Sequence, residues 1–196
     1  PVLSMLTSSM AAYALARLRF RGRNVIFLLL ISTMMIPGYV TLIPNFAIMV
    51  KLKLLNSHWA LILRSALSGS ATSIFLFRQF FLSIPRDLEN AAIVDGCSWP
   101  GVFFRIIMPN SKPAIATVII LSFRSTWNSF LWPQLVLQTD RLWTWTLALK
   151  ILSESETNQA VLLAGSVISI LPILIIYLAC QKYFVNSQVS AGFGGT

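Results

Sequence analysis

The chain has 196 residues and a formal net charge of +9; 56% of its residues are hydrophobic, only 11% are charged, and its mean hydropathy is +0.75. Because a soluble domain normally carries about 25% charged residues, this composition indicates lipid rather than water as the main solvent. The positive charge does not indicate nucleic acid, since the basic residues lie between apolar runs and form no single basic domain.

A helix that crosses a membrane needs about 20 mostly apolar residues. Five stretches come close to this length: Pro1–Ala16, Val25–Phe46, Trp59–Leu82, Pro113–Leu137 and Val161–Cys180. The first is short, and we interpret it as the end of a longer span in an amino-terminally truncated chain. The sequence therefore predicts an all-α fold, a polytopic helical membrane protein with about five spans.

The basic residues of the connectors predict the orientation. Nine of them lie in or beside connectors of one side: Arg17, Arg19, Arg21, Arg23, Arg78, Arg86, Arg105, Lys112 and Lys182. Five belong to the opposite side: Lys51, Lys53, Arg64, Arg141 and Lys150. Connectors rich in Lys and Arg stay in the cytoplasm. We therefore expect "RLRFRGR", the connector after the third span and the carboxyl terminus to be cytoplasmic.

That cytoplasmic connector contains a polar segment, "ENAAIVDGCSWPGVFFRIIMP". Pro85 suits the first position of a short helix, Asp87 and Glu89 place negative charge near its amino end, and Gly96 suits the position after its last turn. Pro100 is expected to break the chain again, before a second apolar piece, "VFFRIIMP".

One face of the predicted short helix carries Leu88, Ala91, Ala92 and Asp95, at helical spacing. Roughly ten residues are too few for a stable isolated helix, so another surface must hold it. Two interpretations remain open from the residues alone. The helix either offers a contact face to a partner or rests on its own helical bundle at the membrane surface.

The spacing of this segment matches a known motif, in which Glu-Ala-Ala is followed by three residues, glycine, nine residues and Ile-x-Leu-Pro. The corresponding residues here are Ala91, Ala92, Gly96, Ile106, Met108 and Pro109. Asn90 stands in the place of the glutamate, with Glu89 adjacent, and Met108 replaces the leucine. The segment resembles the cytoplasmic signature loop of binding-protein-dependent ABC importer permeases.

The resemblance extends over nearly the whole chain. "AAYALARLRFRGR", "MMIPGYVTLIP", "LLNSHWALIL", "WNSFLWP" and "SAGFGG" are similar to the maltose-type sugar permeases, specifically the smaller subunit of the pair. It implies one transmembrane domain over residues 1–196, with a cytoplasmic coupling loop at 85–112. Members normally have six spans, which implies that one span and part of another are missing here. It also implies a multi-pass protein of the prokaryotic plasma (inner) membrane.

The resemblance further implies a coupling helix that docks on a separate ATP-hydrolysing subunit. The implied coupling residues are Glu89, Asn90, Ala91, Ala92, Asp95, Gly96, Arg105, Ile106 and Pro109. No G-x-x-x-x-G-K-[ST] sequence occurs in the chain, so the partner would use the ATP and this chain would bind no cofactor. The implied partners are an ABC ATPase dimer, a second permease, an extracytoplasmic sugar-binding protein and membrane lipid, with no nucleic acid.

Polar residues within the fourth predicted span suggest a substrate path. Arg124, Asn128, Leu131 and Leu135 are expected near one helical face, with Trp127 adjacent. Polar groups at membrane depth usually face a bundle interior or a watery path. The candidates to line a sugar pathway are therefore Arg124, Trp127, Asn128 and Leu131. Packing between subunits is the alternative interpretation.

Other function classes fit less well. A membrane enzyme would need acids, bases or metal ligands, yet the chain has one histidine, His58, and no metal site is predicted. Cys97 and Cys180 are expected to be reduced thiols. A channel or receptor-like module would not require the Gly96–Pro109 spacing. Within the importer class, a polyamine, peptide or anion remains an alternative cargo. Arg64, where relatives often carry proline, has no explanation in the sequence.

Overall fold

The computed structural model describes residues 2–67, 70–155 and 159–183, and those residues form helices and connectors without a strand. The helices are α1 (Val2–Arg17), α2 (Arg23–Ser32), α3 (Leu42–Lys51), α4 (His58–Leu67), α5 (Ala71–Ser83), α6 (Arg86–Val94), α7 (Trp99–Val102), α8 (Met108–Asn110), α9 (Lys112–Trp127), α10 (Leu131–Val136), α11 (Trp145–Ser155) and α12 (Gln159–Cys180). This confirms the all-α prediction. The "SAGFGG" tail lies outside the described residues.

Three of the predicted spans consist of shorter helices. The second contains α2, a 3-10 turn at Thr33–Met35 and α3; the third contains α4 and α5; the fourth contains α9 and α10. Among the described residues, α12 is long and apolar enough to cross a membrane, and the bent pair Trp99–Asn110 and Lys112–Trp127 would make a second such span. The number of spans therefore stays a prediction.

The described chain divides into two compact units. The first unit contains residues 2–36, 70–119 and 181–183 of the described chain. In it α1 packs along α5. Its core is formed by Ala12, Tyr13, Leu15, Ala16, Ile74, Phe77, Phe81, Ile84, Val102, Phe103, Ile107, Ala114 and Val118. Because Val102, Phe103 and Ile107 belong to this core, the predicted coupling loop at 85–112 packs against α1 and α5.

The second unit contains residues 37–67, 120–155 and 159–180. Asn56 organises one end of it: its amide N–H donates to the Val136 carbonyl at 2.7 Å, and its side-chain oxygen accepts from the amides of Gln138 and Thr139 at 3.1 and 3.0 Å. Its φ of 56° is in the left-handed region, which asparagine tolerates. In the same unit, the Arg64 guanidinium lies 4.6 Å from the centre of the Trp132 ring.

Candidate functional site

The predicted short helix exists as α6, Arg86–Val94, and Gly96 ends it as expected. The Gly96 amide donates to the Ile93 carbonyl at 3.0 Å and the Cys97 amide to the Ala92 carbonyl at 2.9 Å. This pair of bonds is a Schellman motif, whose turn residue must adopt a left-handed conformation; Gly96 has a φ of +83°. Pro85 was predicted at the first helical position, but it occupies the N-cap position, one residue before the helix begins at Arg86.

One side of α6 faces outward. Leu88 is 46% exposed and Val94 is 85% exposed, and Ala91 and Asp95 are exposed as well. We call these four residues the coupling face. Ala92, which the sequence placed on the same face, is half-buried and packs on the core of the first unit. Val94 was missed because it falls outside the i, i+3, i+4, i+7 pattern.

Glu89 lies on the opposite side of α6, where it is only 5% exposed. Its Oε1 is 2.8 Å from Nε of Arg17, the last residue of α1. The Glu89 carboxylate is therefore turned into the unit and paired there, and its contact with an ATPase stays a prediction. Burial raises the pKa of the Glu89 carboxyl, and the positive charges of Arg17 and Arg86 oppose that rise.

Arg17 connects three helices. Besides its pairing with Glu89, its Nη2 donates to the main-chain carbonyls of Phe81 and Ile84 at the end of α5. A cation there is favourable because carbonyls at the end of a helix carry partial negative charge, and the Phe81 carbonyl accepts from the Ile84 amide as well. Arg17 thus ties the coupling helix to α1 and α5. The sequence contains no signal for this link, because its members are far apart along the chain.

The second half of the loop is one continuous helical piece. It contains α7, a π-helical turn at Phe103–Ile107 and α8, followed by a bend of 78° into α9. The expectation that Pro100 breaks the chain is wrong, since Pro100 occupies the first turn of α7, where its missing N–H has no cost. The chain turns instead at Ser111, whose buried hydroxyl donates to the Ile107 carbonyl at 2.6 Å.

The remaining predicted coupling residues differ in exposure. Asn90, Gly96, Arg105 and Pro109 are exposed, whereas Ile106 is half-buried and packs against the first core. The exposed ones are available to a partner. Phe104, which is not among the predicted coupling residues, is 52% exposed beside Arg105. The assignment of all these residues to ATPase contact stays a prediction.

The predicted substrate-path residues belong to the second unit, and their shared helical face is wrong. Helix α9 ends at Trp127, and α10 begins at Leu131, so Arg124 and Leu131 lie on different helices. Pro133 explains the interruption: in a continuous helix its ring would clash with the carbonyl of Ser129. Arg124 and Asn128 are exposed, and Leu131 is half-buried.

Trp127 is half-buried, and its indole N–H already has a hydrogen-bond acceptor within the chain. Its indole N–H donates to the Ser169 carbonyl of α12 at 3.0 Å, and its ring stacks on Phe123 with 5.5 Å between centroids. Trp145 donates to the hydroxyl of the same Ser169 at 2.6 Å. The Trp127 indole N–H therefore joins α9 to α12, and the place of Trp127 on a substrate path stays a prediction.

The amino-acid sequence of the chain is similar to those of known transport proteins. The chain is 43% identical over 195 residues to the arabinooligosaccharides transport system permease protein AraQ of Bacillus subtilis, covering 99% of this chain and 69% of that protein. It is 36% identical over 188 residues to the sn-glycerol-3-phosphate transport system permease protein UgpE of Salmonella typhi, covering 94% and 66%.

A solved structure has the same fold. The crystal structure of a bacterial ABC transporter involved in the import of the acidic polysaccharide alginate contains a chain that is 30% identical, with a TM-score of 0.78, and the match covers 93% of this chain and 69% of that one. The family model described as "binding-protein-dependent transport system inner membrane component" matches residues 4–187. The chain therefore belongs to the binding-protein-dependent transport system inner membrane component family, as a membrane permease.

Proposed function

We propose that this chain is a permease subunit of an ATP-driven carbohydrate importer, and that its coupling face docks on a separate ATPase. The observation that carries this proposal is the two-sided character of α6. One side exposes Leu88, Ala91 and Val94, while the other is fixed by the buried pair of Glu89 and Arg17. A helix that is exposed on one side and held on the other is suited to transmit the movement of a partner.

The mechanical path follows from the contacts of Arg17. A displacement of α6 acts on Glu89, then on the Arg17 guanidinium, and through it on the end of α1 and on the carbonyls of Phe81 and Ile84 that close α5. Side chains buried to this degree transmit strain because the interior has little free space. Closure of the ATPase would thereby move α1 and α5 together.

The energy source is supplied by the partner. The absence of a G-x-x-x-x-G-K-[ST] sequence supports a chain that binds no ATP itself. The family supports an assembly with an ATPase, a second permease and an extracytoplasmic binding protein. The distribution of Lys and Arg supports a cytoplasmic loop and carboxyl terminus in the inner membrane.

The relatives support a carbohydrate as the cargo. The name of the Bacillus subtilis relative refers to arabinooligosaccharides, and the solved transporter is involved in the import of the acidic polysaccharide alginate. In this chain, Arg124 and Asn128 are exposed polar residues of the fourth predicted span. We propose them as path residues together with Leu131, with the second permease completing the wall.

Uptake by proteoliposomes tests the proposal. The chain is reconstituted with an ATPase, a second permease and a binding protein, and ATP-dependent uptake of a labelled arabino-oligosaccharide is measured. Val94→Arg buries a charge in the proposed interface and is expected to reduce uptake by at least about tenfold. Leu52→Arg is the matched control, because Leu52 is also exposed, at 51%, but lies in the predicted outer connector.

Both variants should reach the membrane in normal amounts, because each replaces an exposed side chain. Normal uptake by Val94→Arg would contradict the docking role of the coupling face. Uptake of a polyamine or a peptide, with no carbohydrate competing for it, would show that the cargo assignment is wrong while leaving the docking role intact.

A further inference from the structure

A basic cleft lies at the amino ends of two helices of the first unit. It has a volume of about 510 Å³ and is lined by Arg19, Phe20, Gly22, Arg23, Asn24, Val25 and Arg86. Three of these seven residues are arginines, and no carboxylate is among them. The importer function proposed above assigns no role to this cleft.

The arginines of the cleft make no ion pair within the described part of the chain, although Asp87 and Glu89 lie in the first turn of α6. No ion pair with a carboxylate is formed there by Arg19, Arg23 or Arg86, since the ion pairs of the described residues are Arg17 with Glu89 and Lys150 with Glu154. Arg23 makes one long bond, 3.4 Å, to the Leu18 carbonyl. Like charges held together in a cleft repel each other unless an anion joins them.

The main chain adds to this positive potential. Helix α2 begins at Arg23 and α6 at Arg86, and neither has a side-chain capping bond at its amino end. The first N–H groups of a helix have no partner within it and carry partial positive charge. Gly22, with a φ of 84°, brings the chain into α2 and lines the cleft itself. Guanidinium groups and free N–H groups together are the donors that bind phosphate.

We propose that this cleft binds a phosphate group, carried by an anionic membrane phospholipid or free in solution. Its surroundings suit the lipid source. Val25 is 62% exposed, and the side of α2 that continues from it exposes Ile26, Leu28 and Leu29 at 45%, 68% and 62%. A headgroup in the cleft would leave its acyl chains beside this apolar surface.

A phosphate bound in the cleft would contact α6, because Arg86 belongs both to the cleft and to this helix. Arg86 is the first residue of α6, and its charge acts on Glu89 in the buried pair. A phosphate held by Arg19 and Arg86 would join the connector before α2 to the beginning of α6. The composition of the inner leaflet would then influence how firmly the coupling helix is held.

Binding to the purified chain in detergent tests this proposal. The probes are phosphatidylglycerol and inorganic phosphate, with phosphatidylcholine as a zwitterionic comparison, and the readout is the shift of thermal unfolding with probe concentration. The double variant Arg19→Gln with Arg86→Gln is expected to bind at least about tenfold more weakly, because two charged hydrogen-bond donors are lost. Arg21→Gln is the matched control: Arg21 belongs to the same connector and is exposed, but it does not line the cleft.

The outcomes separate the sources of the phosphate. Arginine-dependent binding of phosphatidylglycerol, with no shift by inorganic phosphate, supports the lipid source. Binding of inorganic phosphate that the double variant loses supports the soluble source. The proposal is overturned when neither probe binds, or when Arg21→Gln weakens binding as much as the double variant, because the attraction is then a diffuse effect of the basic connector.

Discussion

The three-way contact of Arg17 gives the sharpest prediction about stability. Arg17→Met removes the guanidinium but keeps most of the side-chain volume. The Glu89 carboxylate then loses its ion-pair partner, and the carbonyls of Phe81 and Ile84 lose the guanidinium, although the Phe81 carbonyl keeps the amide of Ile84 as a donor. The Arg17 side chain is only 2% exposed, so water cannot replace these bonds. Breaking a buried pair from one side costs about 3–5 kcal/mol of unfolding free energy.

The two members of the pair should not be equivalent. Glu89→Gln keeps an oxygen that can accept from Arg17, and it removes a charge that burial already disfavours, as the raised pKa of Glu89 indicates. We expect this substitution to cost about 1 kcal/mol or less. Arg17→Met should therefore cost less in the Glu89→Gln background, because no buried carboxylate is then left without its partner.

The assay is reversible unfolding of the purified chain in mixed micelles titrated with SDS. Arg21→Met is the matched control, because Arg21 is an exposed arginine of the adjoining connector; it should change the unfolding free energy by less than about 0.5 kcal/mol. A cost below about 1 kcal/mol for Arg17→Met, or equal costs for Arg17→Met and Glu89→Gln, would refute this reasoning.

Three further predictions use the same unfolding assay. Gly96→Ala should cost about 1–2 kcal/mol, because the φ of +83° disfavours a Cβ although nothing lies within 4 Å of it, and Gly96→Asn should cost less; equal costs would argue against a backbone origin. The unfolding free energy of the unmodified chain, relative to that of Glu89→Gln, should be greatest below pH 4.5, the ordinary pKa of glutamate. This difference should fall as the pH rises through the raised pKa of Glu89 in the folded state. A difference that grows with pH would mean that folding lowers the pKa of Glu89. Gly165→Ala should cost about 1–3 kcal/mol, because its Cβ would lie 2.5 Å from Leu149 Cδ1, whereas Gly38→Ala, with open space around it, should cost less than about 0.5 kcal/mol; similar costs would mean that Leu149 moves aside freely.

The coupling loop could be predicted closely because its signals are local. Proline before a helix, acidic residues in its first turn and glycine after its last turn each depend on a few neighbouring residues, and they place α6 correctly to within one or two positions. The motif spacing from Ala91 to Pro109 likewise needs no tertiary information. The two-part character of the loop follows from Gly96, which is found in the left-handed conformation.

Other features depend on contacts between distant segments, and the sequence could not reveal them. The ion pair between Glu89 and Arg17 is one such contact. The residue pattern of α6 does not show that Arg17 of α1 lies against its Glu89 side. One continuous helix was expected where the chain forms α9 and α10, because hydropathy depends only on composition. Hydropathy does not show whether the carbonyls freed by a break find partners in the folded protein. The hydrogen bond of Trp127 could not be predicted because its acceptor, the Ser169 carbonyl, lies on another helix far along the chain.

Photo-cross-linking from the coupling face tests the central claim most directly. A photoreactive amino acid replaces Val94, which is 85% exposed on α6, in the assembled transporter, and Leu52 carries it in the control. The account predicts an adduct with the ATPase from Val94 and none from Leu52. An intact transporter in which Val94 forms no adduct with the ATPase, or in which Leu52 forms it equally well, would contradict the account.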